Sequence, residues 1–234
     1  MIRLDKFLSQ MNIGSRSEVK SDIKKGRVSI NGQICKNPDE KIDESLDVVC
    51  FDGSIVTYEK YVYYMLNKPS GVVSATKDNF DKTVMELLEG VNCKDLFPVG
   101  RLDKDTEGLL LITNDGELSH NLLSPKKHIS KTYRVLTKAD IDNEQIIAIE
   151  KGVDIGEGII TLPATIQKID SREIILTIFE GKFHQVKRML KSVGNEVVYL
   201  ERIKMGKLEL DKSLKRGEFR KLSEREVELL KKEK

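Results

Sequence analysis

The sequence has no tryptophan and only three cysteines, three histidines and five prolines among 234 residues. Cys35, Cys50 and Cys93 are odd in number and form no CxxC pair, which argues against a disulfide framework or a thiolate zinc site. His120, His128 and His184 show no HxH or HxxxH spacing, so no metal is expected. No apolar run approaches the roughly 18 residues a membrane span needs. The opening stretch MIRLDKFLSQ interrupts its apolar residues with charges, unlike a secretory signal. A reduced, cytoplasmic protein is expected.

What is present is charge, unevenly placed. A net charge of +2 conceals two basic ends and an acidic stretch between them. Residues 1–36 carry eight Lys/Arg against three Asp/Glu, residues 37–60 two against seven, and residues 181–234 sixteen against nine. Two cationic regions of this kind suit a polyanionic partner. Near the amino terminus, Leu4, Phe7, Leu8 and Met11 fall at helical spacing. Ser15-Arg16-Ser17-Glu18 is a capping box that opens a second helix, about 16–25, stopped by Gly26. Arg16, Lys20, Lys24 and Arg27 recur at intervals of four, four and three, a stripe able to follow a phosphate backbone. VSINGQIC then predicts a hairpin turning at Asn31-Gly32, because both turn positions need positive φ. Helix, capped basic helix and hairpin together resemble the S4 RNA-binding domain over roughly residues 1–48.

The remainder alternates strand-like and helix-like pieces. YYMLNKPSGVVSA predicts strand, Lys-Pro-Ser-Gly turn and strand, and TVMELLEG a short helix. LLLIT, KTYRVLT, ATIQKI and REIILTIFE are strands, whereas ELSHNLL, FHQVKRMLKSVG and a segment opening at Ser223 are helices. An α+β class with a mixed, mainly antiparallel sheet is expected, divided into residues 1–60 and 61–234.

The stretch GRLDKDTEG, which runs into LLLITNDG, carries the sharpest question. As a calcium loop it has Asp, Asp and Glu at alternate positions, but Asn114 stands where a bidentate glutamate is needed and no helices flank it. A charged surface turn and a rigidly mounted catalytic carboxylate remain.

GRLDKDTEGLLLITNDG, together with YMLNKPSGVVS, SPKKHISKTYRV and EGKFHQVKRMLKSVGNEV in that order, resembles the pseudouridine synthases. The likeness is to the branch that couples an S4 domain to the catalytic domain, the RsuA and RluB/E/F-type enzymes. The resemblance implies an isomerase that breaks the bond between uracil N1 and ribose C1′ and rejoins the ring through C5. It assigns Asp103 as the catalytic aspartate, Tyr133 as the tyrosine packed on the target uracil, and Lys187 as the cationic partner of Asp103, with Arg188 as substitute or RNA contact. Arg101 would contact RNA as the uridine flips out, and His184 would serve helix packing or RNA contact. Asp105 and Glu107 are expected to stabilise the loop or to be exposed. Targets in this branch divide between 16S small-subunit and 23S large-subunit ribosomal RNA. SPKKHISKTYRV and the run His184-Gln185-Val186-Lys187 favour 16S RNA, bound by a monomer. A non-catalytic S4-domain protein of ribosome assembly is the alternative of another class.

Overall fold

The computed structural model describes residues 1–57, 59–91, 93 and 95–232. Cα packing separates the chain into Met1–Val62 with Gly90–Leu96, and Tyr63–Glu89 with Phe97–Lys234.

In the first unit, helices Leu4–Gln10 and Arg16–Lys24 cover a sheet ordered Gln33–Ile34, Val28–Ile30, Val49–Phe51 and Ser54–Ile55. The Ser15 hydroxyl accepts from the Glu18 amide while Glu18 accepts from the Ser15 amide, satisfying two donors the helix leaves open. Leu4, Phe7, Leu8, Val19, Ile23, Val28, Ile42 and Val49 form its buried core. Asn31 and Gly32 adopt φ of 50° and 82°, the conformation that a two-residue hairpin turn requires.

The second unit is built on a nine-stranded sheet. Its main path runs Thr165–Asp170, Glu173–Ile178, Lys131–Thr137, Val197–Met205, Glu107–Thr113, Tyr63–Lys68 and Phe219–Lys221. Leu208–Glu209 and Phe97–Pro98 pair off this path. The Glu107–Thr113 strand lies at its heart: Leu109, Leu110, Leu111 and Ile112 are all fully buried, because both faces of the strand are covered. Its pairing with Val197–Met205 is parallel, while the neighbouring pairs are antiparallel. At that parallel contact Gly108 has φ +96°, and a Cβ there would lie 2.3 Å from the Arg202 carbonyl oxygen. Only glycine lets the two backbones approach so closely.

Two expectations need correction. The run after the Lys-Pro-Ser-Gly turn does not form a second strand; it makes one isolated bridge, Val73 to Thr83. Its polar groups are used elsewhere, with the Ser74 hydroxyl clasping the Leu102 backbone. TVMELLEG yields only a four-residue 3-10 turn, Val84–Leu87. Among the elements that went unforeseen are the helix Asn143–Lys151, capped by Asp142 and Gln145, and the strand Val197–Met205.

Candidate active site

The GRLDKDTEG loop is held from three directions. Ser74 Oγ donates to the Leu102 carbonyl at 3.0 Å and accepts from its amide at 3.1 Å. The Gly71 amide donates to the Lys104 carbonyl at 2.8 Å. Beneath the loop lies Lys68, fully buried at the end of strand Tyr63–Lys68. Its ammonium reaches the carbonyls of Pro69, Asp103, Lys104 and Thr106 at 3.1, 3.1, 3.2 and 2.8 Å. Burial pushes the Lys68 pKa down to about 8, against the opposing pull of Asp105, Glu107 and Asp103. Backbone dipoles thus converge on one buried cation, which fixes the loop's conformation.

That mount presents Asp103 to an open cleft. Lys187 Nζ stands 3.1 Å from Asp103 Oδ2, and His184 Nε2 stands 3.5 Å from Oδ1. Lys187 also meets Asp105 Oδ1 at 2.5 Å. Burial favours loss of the Lys187 proton, but hydrogen bonds and charge attraction from Asp105 and Asp103 outweigh it and raise the pKa. Asp105 is the mirror case: burial disfavours its charge, yet contact with Lys187 holds its pKa below the ordinary value.

Tyr133 is buried in strand Lys131–Thr137 and forms the cleft wall with Ile178, Val186 and Leu200. Arg101 is exposed and lines the same cleft. The helix Gln185–Ser192 supplies the cation because Val186, Met189 and Leu190 bury one face and leave Lys187 on another. Arg188 does not turn to Asp103; its guanidinium donates to the carbonyls of Ile155 at 2.7 Å and Phe183 at 3.3 Å. Behind the loop, Arg216 bridges Glu107 and Glu201, at 2.8 and 2.7 Å.

The stripe on the first unit is more divided. Arg16, Lys20 and Lys24 are exposed, with Lys20 Nζ 3.7 Å from Asp5. Arg27 is held by Asp22 and Asp52 and lies over the Phe51 ring.

The family resemblance brought Asp103, Tyr133 and Lys187 under suspicion, but it missed Lys68, Ser74 and the nearness of His184. The lysine in Asn67-Lys68-Pro69 was the available signal, a charge ending an apolar strand. Among the described residues, no group of three His, Cys, Asp or Glu side chains could hold a metal ion, and no helix is long and apolar enough to cross a membrane.

An S4-like module joined to a unit that mounts an aspartate over a tyrosine-walled cleft is the plan of an RNA-modifying enzyme. The model of the RNA pseudouridylate synthase family matches residues 62–192, and that of the S4 domain residues 2–48. The chain belongs to the RNA pseudouridylate synthase family. It is 50% identical to an uncharacterized RNA pseudouridine synthase, YtzG, of Bacillus subtilis, over 98% of each chain. It is 42% identical to ribosomal small subunit pseudouridine synthase A of Vibrio cholerae, over 97% of this chain and 98% of that one. A crystal structure of a pseudouridylate synthase superimposes with a TM-score of 0.70 at 38% identity, covering 98% of this chain and 100% of the other.

Proposed function

We propose that the protein converts one uridine of 16S small-subunit ribosomal RNA to pseudouridine, with Asp103 as the catalytic carboxylate. The observation that carries the reading is the pairing of Asp103 with Lys187 at 3.1 Å above a cleft walled by Tyr133. Names of relatives about 40% identical over nearly the whole chain support the small-subunit target. The reaction conserves atoms: the C1′–N1 bond breaks, the ring turns, C1′–C5 forms, and C5 loses a proton while N1 gains one. No oxidant or transferred group enters.

Each side chain has a part in that sequence. The target uridine leaves the RNA stack to reach the cleft, with Arg101 at the rim to meet the RNA it vacates. Tyr133 packs against the uracil. Asp103 acts as an anion beside C1′, whether as nucleophile or in eliminating the base. Lys187 stabilises that anion in a site partly withdrawn from water, where a fixed opposite charge acts strongly. Lys68 and Ser74 hold the loop so that the carboxylate does not drift. The exposed Arg16, Lys20 and Lys24 contribute phosphate contacts from the first unit. The protein works as a monomer in the cytoplasm, without a cofactor.

The test is pseudouridine mapping of ribosomal RNA treated with the protein and with Asp103→Asn. We expect one modified uridine in 16S RNA with the unaltered protein and none with the variant. Modification confined to 23S RNA would overturn the target. A fully active Asp103→Asn variant would overturn the site.

A further inference from the structure

Phe183 has no part in the chemistry above, yet it is 75% exposed beside the cleft. Isolated exposed apolar residues are common, so exposure alone says little. Its surroundings say more. Lys182 and His184, its chain neighbours, both line the cleft that holds Asp103. The Phe183 and His184 rings stack with centroids 3.8 Å apart and an 18° interplanar angle. His184 in turn stands 3.5 Å from Asp103. Two contacts therefore connect an aromatic face open to solvent with the catalytic carboxylate.

The loop that carries the ring is tightly held. His184 takes a left-handed conformation, φ 48° and ψ 35°, which a non-glycine residue seldom adopts without support. Buried Gln185 supplies that support: its side chain accepts from the Lys182 amide at 2.9 Å and donates to Glu180 at 2.9 Å. Arg188 holds the Phe183 carbonyl and anchors it to Ile155. A large apolar ring thus faces water on a rigid mount, with one face already covered by an imidazole.

We propose that Phe183 is a stacking platform for an unpaired base of the substrate RNA next to the target uridine. The inference rests on the RNA-modifying reading above and deepens it. When a uridine swings into the cleft, its neighbours in the strand lose a stacking partner. A fixed aromatic face at the rim replaces that partner for any base, because every base has a π-face. With His184 behind it, the ring forms the middle layer of a three-layer stack. Loss of a base–aromatic stack weakens binding by about 5- to 150-fold.

The experiment compares the unaltered protein with Phe183→Ala, Phe183→Leu and Phe183→Trp on 16S RNA and on a stem–loop spanning the mapped uridine. Binding and single-turnover rate are both measured. Ala and Leu should weaken RNA binding by at least about 5-fold and leave the rate at saturating RNA within about 3-fold. Trp should restore binding. The salt slope of binding should stay unchanged, since no charge is removed. Replacing one nucleotide beside the target with an abasic residue should weaken binding to the unaltered protein and not weaken Phe183→Ala further. Unchanged affinity in Phe183→Leu, or losses from the abasic RNA and Phe183→Ala that simply add, would overturn the platform. A loss at saturating RNA that Trp does not restore would also overturn it, showing that Phe183 positions His184 instead. Absence of pseudouridine with the unaltered protein would overturn the enzyme reading separately, since the binding comparison needs no turnover.

Discussion

The cations on helix Arg16–Lys24 of the first unit and those around Asp103 in the second are placed in opposite ways. Arg16, Lys20 and Lys24 stand in solvent at helical spacing, where each is a point charge for any phosphate within reach. Lys68 is withdrawn from water altogether, and Lys187 is partly withdrawn between two carboxylates. Water screens the first set, so their strength lies in number and in the release of counterions. The second set acts where screening is weak, so one correctly placed charge matters more than several nearby. Arg27 lies between the two cases: it continues the sequence stripe but is occupied by Asp22 and Asp52.

The largest expected effect is at Lys187. Lys187→Met leaves Asp103 without its cation and should lower the single-turnover rate by about 100-fold or more, with RNA affinity changed much less. Equal losses in rate and affinity would make Lys187 an ordinary phosphate contact and erase the contrast between the units.

Lys68 comes next. Lys68→Met leaves four carbonyls without their common donor and should cost about 2–4 kcal/mol in urea unfolding. The pH dependence has a definite sign. Lys68 titrates at about 8 in the folded protein and near 10.4 in the unfolded chain. Between those values the unfolded chain holds more protons, so stability rises with pH across that window, by at most about 1.4 kcal/mol per pH unit. The stability gap between the unaltered protein and Lys68→Met should therefore widen from pH 8 to 10. A gap constant with pH would show that burial does not perturb this lysine.

The smallest effects separate members of the stripe. Lys20→Gln with Lys24→Gln should flatten the salt dependence of RNA binding by about two ion releases and weaken it several-fold. Arg27→Gln should change that slope little and instead disturb the first unit, because Arg27 is already held by carboxylates and Phe51. An Arg27→Gln slope change as large as that of a lysine would put Arg27 back among the RNA contacts.

Much of this was legible in the chain. Capping boxes at Ser15 and Ser223, the Asn31-Gly32 turn and the apolar stripe of helix Gln185–Ser192 are local signals, and each formed where expected. The strand expected after Lys68-Pro69-Ser70-Gly71 failed for a non-local reason: Ser74 pairs with Leu102, twenty-eight positions away. His184 and Phe183 likewise gained meaning only when helix Gln185–Ser192 was placed against the catalytic loop.

By itself the sequence determined the helices capped at Ser15 and Ser223, the Asn31-Gly32 turn, several strands and the motif containing Asp103, since capping, turn and periodicity signals act within a few residues. Tertiary structure decided which cations serve which purpose. Lys20, Arg27, Lys68 and Lys187 are equally charged on paper. Only packing shows which stay in water, which are matched by nearby carboxylates and which are buried against carbonyls, and the work a charge can do depends on that desolvation.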